Sequence, residues 1–302
     1  MDSILVTGFF RTGSTLLFSA LRQCEDFKVF YEPYHPEILK YVEACQAGLA
    51  SVDQHKLGHT IDEDYFEEYA DIDLGEMKRV LELGPRTLNH PVLSSQCDAE
   101  HLKAYVKFLH FHAEATGKIP VLQANRFNFC IDWFKNNFPR NYNILITRNA
   151  YDIFCSLKKL ARSDGIDLTP DCSGIDYWNV LSIFDSLRAR HPFVDCLHSG
   201  YFYKLCFVVE WINRIESNKA DLIIPFEALG NEKVVCAALS ALSTFAIPSN
   251  FVRDYLETNF RGVQKPDPSV DFVDISKLVG DQISVVCSEV FHKGSDGVVL
   301  NV

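Results

Sequence analysis

The residues of this chain that are best suited to chemistry begin near its first glycines. Gly8 and Gly13 have the spacing of the phosphate-binding loop G-x-x-x-x-G-K-[S/T]. An apolar β-branched stretch precedes the loop and an apolar helical pattern follows it, so backbone N–H groups and a helix N-terminus could receive an anion. Ser14 replaces the motif lysine that contacts the phosphates of a nucleoside triphosphate, and the nearest cation is Arg11. The loop therefore predicts a phosphate-type site that lacks the ATP-binding lysine.

A second group of polar residues follows a later apolar stretch. Arg148 ends a predicted strand, Asn149 can cap the helix that follows, and Ser156 lies about two turns into that helix. An arginine fork with a nearby hydroxyl is suited to holding a second phosphate. The alternative is a surface arginine and a serine that bonds its own helix backbone.

A candidate general base follows the second predicted strand, in Tyr31-Glu32-Pro33-Tyr34-His35. Pro33 predicts an extended Glu32 whose carboxylate leaves the strand end. A carboxylate or a neutral imidazole can take a proton from a hydroxyl, so Glu32 and His35 are both candidates. A carboxylate here could instead orient an acceptor or cap a helix.

Short apolar strands that alternate with helices must position these residues. The predicted strands are Ile4–Thr7, Lys28–Tyr31, Pro120–Ala124, Asn143–Thr147 and Asp221–Pro225. The clearest predicted helices are Ser14–Gln23, His101–Thr116, Tyr151–Arg162 and Tyr201–Ser217. This alternation predicts a three-layer α/β fold, with a parallel sheet flanked by helices and ligands at the carboxyl ends of its strands. We expect one domain over 1–302 with insertions at about 42–96 and 163–200, the first with a polar, loop-rich solvated part around Asp62–Glu68.

Composition limits the classes of function. The 302 residues are 47% hydrophobic, and the net charge of −11 argues against a general nucleic-acid binder and against binding to anionic membranes. The 10 cysteines include no C-x-x-C pair, which predicts free thiols in a reducing compartment. With neither a signal peptide nor a membrane span in the sequence, we expect a cytoplasmic protein.

The two phosphate-type stretches together resemble the sulfotransferases that use 3′-phosphoadenosine 5′-phosphosulfate (PAPS). In that family, strand–R-[S/T]-G-[S/T]-[S/T]–helix binds the 5′-phosphosulfate, and a later strand–R-[D/N]-x-x-x-x-x-x-S segment binds the 3′-phosphate. The motifs stand here as Arg11-Thr12-Gly13-Ser14-Thr15 and as Arg148-Asn149 with Ser156. The family usually has Asp-Pro after the second arginine, where this chain has Asn149-Ala150. Pro225-Phe226-Glu227-Ala228-Leu229 is similar to the family's late YEDL segment.

This resemblance implies a P-loop nucleotide-binding-like sulfotransferase fold. It also implies transfer of a sulfuryl group from PAPS, the co-substrate, to a hydroxyl of a carbohydrate-like or other small-molecule acceptor. The residues implied in PAPS binding are Arg11, Thr12, Gly13, Ser14, Thr15, Arg148 and Ser156. PAPS has no γ-phosphate and the family needs no magnesium, so no metal site is expected. Arg11 would neutralise charge on the oxygen between phosphorus and sulfur.

The resemblance also favours Glu32 as the base. Carbohydrate- and trehalose-type sulfotransferases have a similar F/Y-E-P segment whose glutamate is thought to deprotonate the acceptor. Cytosolic phenol and steroid sulfotransferases use a histidine elsewhere in the chain, which keeps His35 as the alternative. Asn125 and Arg126 follow the third strand, where related enzymes carry a charged residue; an equal alternative for Arg126 is a structural ion pair. Phe260-Arg261-Gly262 faintly resembles the family's R-K-G element for the 3′-phosphate.

Two other functions remain open from the sequence. A nucleotide kinase with a degenerate phosphate loop would need a lysine after Gly13 and a carboxylate pair for magnesium, and neither stands at the expected place. A non-catalytic nucleotide-binding protein of the same fold is the other alternative. Members of the resembled family include dimers, so a homodimer is compatible with this reading, although no segment marks an interface.

Overall fold

A computed structural model describes residues 3–48, 65–82, 99–190, 200–230, 275 and 277–284. Internal contacts divide the chain into two units. We call Met1–Thr147 with Lys219–Gly262 the sheet unit, and Arg148–Asn218 with Val263–Val302 the helical unit. The organisation of 1–302 as one domain with two insertions stays a prediction.

The sheet unit contains a five-stranded sheet in which all neighbouring strands are parallel. The strands are β1 (Ser3–Gly8), β2 (Phe27–Tyr31), β3 (Ile119–Gln123), β4 (Asn141–Thr147) and β5 (Leu222–Pro225). Their spatial order is β2-β3-β1-β4-β5. The predicted α/β fold and all five predicted strands are therefore confirmed, with strand ends that differ by two residues at most.

Strand β1 occupies the centre of this sheet. Leu5 is in register with Leu122 of β3 on one side and with Asn143 of β4 on the other. All six residues of β1 are buried, because the strand is covered by neighbours on both edges and by packing on both faces. A buried parallel strand reads as a continuous apolar run, which explains why the sequence located it.

In the described residues of this unit, five α-helices accompany the sheet. They are α1 (Ser14–Arg22), α2 (Ile38–Gln46), α3 (Leu74–Glu82), α4 (Ala99–Glu114) and α5 (Ile131–Asn137). The predicted helices at α1 and α4 are confirmed, with ends that differ by two residues at most. Their apolar sides join the strands in one hydrophobic core.

The solvated part predicted around Asp62–Glu68 is described only from Tyr65 onward, since Asp62–Asp64 lie outside the described residues. Glu67 is exposed as predicted, but the aromatic residues of this segment are not. Tyr65, Phe66 and Tyr69 are all buried, and Glu67–Tyr69 forms a short 3-10 helix. The Tyr65 ring lies 4.8 Å from that of Tyr31 at the end of β2. The composition indicates a solvent-exposed segment because acidic residues dominate it, but its aromatic side chains pack against the core.

The helical unit is built on α6 (Ala150–Ser163), α7 (Val180–Arg190) and α8 (Tyr201–Trp211). Asn149 caps α6 as predicted, since its Oδ1 accepts the Asp152 N–H at 2.8 Å. The predicted single helix Tyr201–Ser217 is α8 followed by a π-helical turn, Ile212–Glu216. Residues 277–284 are helical and contact α8, where the Tyr203 hydroxyl donates to Gln282 Oε1 at 2.5 Å.

Trp178 and Trp211 stand in apolar, helix-like stretches of the sequence, which predicts that both are core residues, but the structure gives them different surroundings. Trp211 is 5% exposed and confirmed as a core residue. Trp178 is only half-buried and has φ 57°, a left-handed backbone conformation that it shares with Asn179. The prediction for Trp178 is wrong because the residue forms a kinked turn before α7 rather than part of an apolar helix.

The prediction of free thiols is confirmed for the described part of the chain. Free thiols are found at Cys24, Cys45, Cys130, Cys155, Cys172 and Cys206, of which Cys45, Cys155 and Cys172 are only half-buried. Cys236 and Cys287 lie outside the described residues. Within the described ranges, no helix has both the length and the apolar character needed to cross a bilayer.

Candidate functional site

The loop that joins β1 to α1 is a tight turn. Thr12 closes it by donating from both its backbone N–H and its hydroxyl to the Phe9 carbonyl, at 3.2 and 2.7 Å. Arg11 has φ 67° and Gly13 has φ 89°, so the chain turns through two left-handed residues before α1 begins. Left-handed backbone is costly for a non-glycine residue and often accompanies function, which makes Arg11 notable.

Close packing explains why both loop positions are glycine. A Cβ on Gly13 would lie 2.6 Å from the Phe226 ring, and a Cβ on Gly8 would lie 2.7 Å from the Ile146 carbonyl oxygen. Within the resembled motif, Gly13 is also expected to let a phosphate approach the backbone closely. Close packing against Phe226 is by itself a sufficient reason for glycine at this position. Contact between Gly13 and a phosphate stays a prediction.

The start of α1 receives no side-chain cap, because its N-cap residue is Gly13. Thr12 and Ser14 are almost wholly buried, at 1% and 2% exposure. The N-terminus of a helix carries partial positive charge from its N–H groups and favours an anion. The local structure thus provides the features that the motif predicted, next to the side chain of Arg11.

Glu32 follows the last residue of β2, but not in the predicted conformation. Its φ is 37°, so the expectation that Pro33 forces it to be extended is wrong. The Glu32 N–H donates to the Gln123 carbonyl at 2.7 Å and continues the pairing with β3. The Glu32 carbonyl accepts the His35 N–H at 2.8 Å and closes a turn over Pro33. These hydrogen bonds outweigh the local preference of a residue before proline.

The Glu32 carboxylate is buried and bound at both oxygens. Oε1 accepts the Asn125 backbone N–H at 3.3 Å, and Oε2 accepts Arg126 Nη1 at 3.0 Å. Burial raises the pKa of Glu32, although Arg126 and the hydrogen bonds from Asn125 and Gln123 act in the opposite direction. A buried carboxylate with a raised pKa beside a specific charge partner is typical of functional sites.

His35 is a weaker base in this structure. Burial, and then the positive charge of Arg126, lower its pKa to about 4. Its Nδ1 accepts the Glu37 N–H at 3.2 Å, so in the neutral ring the proton resides on Nε2. The lone pair that would accept a proton is therefore already engaged, which favours Glu32 between the two candidates.

Arg126 links the β1 loop to the end of β2. The 3-10 turn Asn125–Phe127 after β3 places it there, and its guanidinium lies 5.7 Å from the centre of the Phe10 ring. Arg126 is 9% exposed, and its Nε finds no hydrogen-bond partner among the described residues. The sequence placed Arg126 at this edge and offered an ion pair as one alternative. It could not identify Glu32 as the partner, because this pairing depends on the strand order.

Tyr31 is a residue of this site that the sequence did not single out. Its hydroxyl bonds the Thr15 side chain, and the charges of Glu32 and Arg11 both act on it. Burial raises the pKa of Tyr31, so the phenol stays protonated. Its position immediately before Glu32 was the available signal. The carboxyl ends of β1, β2 and β3 thus bring Arg11, Thr15, Glu32 and Arg126 into one neighbourhood.

The second predicted phosphate-binding group lies in the helical unit. Arg148 directly follows β4 in the chain and is 9% exposed, and its carbonyl accepts from Asn213 Nδ2 at 3.2 Å. Ser156 is half-buried and lies two turns into α6, as predicted. Arg261 lies outside the described residues. In the described part of the chain, no group of three or more His, Cys, Asp or Glu side chains could hold a metal ion.

Comparisons with known proteins relate this fold to solved structures. No protein-family model and no curated protein matches the sequence. The crystal structure of sulfotransferase STF1 from Mycobacterium tuberculosis H37Rv has a TM-score of 0.50 at 12% identity, covering 94% of this chain and 76% of that one. Sulfotransferase STF9 from Mycobacterium avium gives 0.49 at 13% identity, with the same two coverages.

At such low identity the similarity to STF1 concerns the fold and not the substrates. It extends over nearly the whole chain, including the parallel sheet that positions the β1 loop and Glu32. The chain has a sulfotransferase-like α/β fold.

Proposed function

We propose that this protein transfers a sulfuryl group from PAPS to a hydroxyl of a small acceptor, with Glu32 as the general base. One observation carries this proposal most directly. The buried carboxylate of Glu32, hydrogen-bonded to Arg126 at 3.0 Å, lies at the carboxyl edge of the sheet, where the loop from β1 to α1 begins. The sulfotransferase-like fold supports the reaction class.

The donor-binding residues follow from the two phosphate-type motifs. In the proposal the loop Arg11–Thr15 and the start of α1 receive the 5′-phosphosulfate, and Arg148 with Ser156 receives the 3′-phosphate. Ser14 in place of a lysine fits a nucleotide that has no γ-phosphate. Arg11 supplies a permanent positive charge inside the loop. No step of the proposed reaction uses a metal ion.

The proposed reaction is an in-line displacement at sulfur. The acceptor oxygen forms a bond to sulfur while its proton moves to a Glu32 carboxylate oxygen. The bond between sulfur and the bridging phosphate oxygen breaks, and adenosine 3′,5′-bisphosphate leaves. Arg11 stabilises the charge that develops on that oxygen, and fixed positioning of both reactants supplies much of the rate.

The properties of Glu32 suit the role of base better than those of His35. The two carboxylate oxygens have four lone pairs, and Asn125, Arg126 and Gln123 supply three hydrogen bonds, so one further proton can be accepted. The raised pKa of Glu32 makes its carboxylate a stronger base than an exposed one. The His35 pKa of about 4 makes its imidazole a poor proton acceptor at neutral pH.

The proposal predicts separate effects on turnover and on binding for Glu32→Gln. Release of bisphosphate from PAPS is measured with a panel of sugars, simple alcohols and phenols as acceptors. Because general-base catalysis contributes about 100-fold or more, we expect Glu32→Gln to reduce turnover by about that factor or more. Its affinity for adenosine 3′,5′-bisphosphate should stay close to that of the unmodified protein.

His35→Gln is the matched control and should retain turnover. A Glu32→Gln variant as active as the unmodified protein would rule out this carboxylate as the base. If His35→Gln alone removed turnover, the role of base would pass to His35.

A further inference from the structure

The backbone of Glu32 is hydrogen-bonded both to the neighbouring strand β3 and within its own turn. Its N–H donates to the Gln123 carbonyl, and its carbonyl accepts the His35 N–H, at 2.7 and 2.8 Å. Its φ of 37° is unfavourable for a residue with a Cβ. Such a conformation persists only where the surroundings hold it in place.

Two buried tyrosine hydroxyls bond the carbonyls on either side of Glu32. The Tyr69 hydroxyl donates to the Tyr31 carbonyl at 3.0 Å, and the Tyr105 hydroxyl donates to the Pro33 carbonyl at 2.9 Å. Among the described residues, strand β2 is at the edge of the sheet, so no described strand donates to its outward backbone carbonyls. These side chains supply the donors that a further strand would otherwise provide.

The two tyrosines come from different elements, one from the 3-10 helix Glu67–Tyr69 and the other from α4. Both are wholly buried. Their rings pack against aromatic neighbours, with Tyr69 5.3 Å from Phe30 and Tyr105 4.9 Å from Tyr34. Phenylalanine could make the same ring contacts, so packing alone does not account for the two hydroxyls.

We propose that the hydroxyls of Tyr69 and Tyr105 are positioning groups that fix Glu32 in its left-handed conformation and hold its carboxylate against Arg126 and Asn125. This inference rests on the proposed function only in treating Glu32 as the base. Neither tyrosine touches the reacting atoms. Each acts through a backbone carbonyl next to Glu32, and together they fasten the short segment that carries the base to α4 and to the 3-10 helix.

Selective NMR of glutamate δ-carbons tests this proposal without an acceptor. The resonance missing from Glu32→Gln identifies Glu32, and its titration is followed in Tyr69→Phe and in Tyr105→Phe. Phenylalanine keeps the ring and hence the burial, while the hydrogen bonds from Arg126 and Asn125 that favour the carboxylate weaken. We therefore expect the pKa of Glu32 to rise by about half a pH unit or more in each variant.

The phenols near Glu32 do not ionise in the pH range where a carboxyl group titrates. Tyr31 and Tyr69 both interact electrostatically with Glu32, as does Arg126. Burial raises the pKa of both tyrosines above their ordinary values, so they stay neutral throughout that range. A change in the Glu32 titration therefore reports its contact with Arg126 and its backbone donors rather than the ionisation of a neighbouring phenol.

Tyr201→Phe is the matched control. Its hydroxyl also donates from a wholly buried ring to a backbone carbonyl, that of Tyr177 at 2.7 Å, but in the helical unit. This variant should leave the Glu32 titration unchanged. An unchanged or lowered Glu32 pKa in both Tyr69→Phe and Tyr105→Phe would overturn the proposal, as would an equal rise in Tyr201→Phe. If one of the two site variants does not fold, the other decides the question.

Failure of this inference can be separated from failure of the proposed function. Binding of adenosine 3′,5′-bisphosphate by the unmodified protein tests the function and does not involve either hydroxyl. If the protein did not bind the bisphosphate, the NMR comparison would still be valid, because it measures only the titration of Glu32. Conversely, unchanged titrations with normal bisphosphate binding would reject only the positioning role.

Discussion

At the scale of single residues, the proposed chemistry depends on the pair formed by Glu32 and Arg126. The two side chains are 5% and 9% exposed, so their charges are largely removed from water. Breaking a buried pair by removing one partner leaves an uncompensated charge, which is usually more harmful than removing both partners. Removal of one member of the pair should therefore destabilise the protein more than removal of both.

Substitution of Arg126 should make stability depend on pH. In Arg126→Gln the pKa of Glu32 rises further above its ordinary value of 4.5, because the positive charge that lowers it is gone. A folded-state pKa above the unfolded one stabilises the protein below the unfolded value, and this contribution is lost as pH rises through the folded value. We expect a loss of about 3 kcal/mol in the free energy of unfolding at pH 7 and a much smaller loss near pH 4.

Urea unfolding of Arg126→Gln at both pH values measures this effect. The control is the double variant Glu32→Gln with Arg126→Gln, in which neither charge remains and most of the stability at pH 7 should return. An Arg126→Gln variant that loses the same free energy at pH 4 and pH 7 would contradict the burial and pairing described for Glu32.

Residue types predicted the candidates at this scale but not their contacts. Glu32 and His35 were both identified from the segment after β2, and the structure separates them by the hydrogen bond from Glu37 to the imidazole and by the lowered pKa of His35. The partner of Arg126 was not predictable, since Glu32 lies far from it in sequence and meets it only because β2 and β3 are neighbours. Tyr31 was interpreted as the end of the predicted strand Lys28–Tyr31, because aromatic residues are common in β-strands.

At the scale of elements, the β1–α1 loop is shaped by packing and by backbone geometry together. Gly13 has a left-handed φ of 89° and also faces the Phe226 ring. The residues after β5 thus support the loop from within the same unit. The conformation of the loop therefore requires glycine at position 13 whether or not a ligand is bound.

Alanine substitutions can separate these two requirements. Gly117 has φ 73° with open space around its Cβ position, so Gly117→Ala measures the cost of backbone strain alone, about 1 kcal/mol. Gly13→Ala adds a clash 2.6 Å from the Phe226 ring, and we expect a total loss of about 2 to 4 kcal/mol. Thermal or urea unfolding of the two variants provides the comparison, and equal losses would show that Phe226 does not restrict the loop.

The elements themselves were the most predictable part of the molecule. Strands buried on both faces are recognisable as short β-branched runs. The apolar periodicity of α1 and α6, together with the Asn149 cap of α6, gave the bounds of these helices within a residue or two. Two local features escaped prediction. The π-helical turn after α8 leaves no mark in an apolar pattern, and the left-handed Glu32 depends on hydrogen bonds to Gln123 and His35.

At the scale of the whole molecule, the sheet determines which of the candidate residues lie close together. The parallel sheet with the order β2-β3-β1-β4-β5 places the polar residues after β1, β2 and β3 at one edge. The similarity to a sulfotransferase structure over 94% of the chain concerns the path of the backbone and does not depend on those residue types. The acidic net charge of −11 means that an anionic donor must be attracted by local groups such as Arg11 and Arg148.

The central claim is that the ligand of this protein is a bisphosphate nucleotide bound without metal. Calorimetric titration with adenosine 3′,5′-bisphosphate, alongside Mg-ATP and in the presence of a chelator for the former, tests it most directly. We predict tight bisphosphate binding that Arg148→Ala weakens by about tenfold or more, since a charge-assisted hydrogen bond to phosphate is lost. Absence of bisphosphate binding, or a clear preference for Mg-ATP, would contradict the claim and favour a nucleotide kinase.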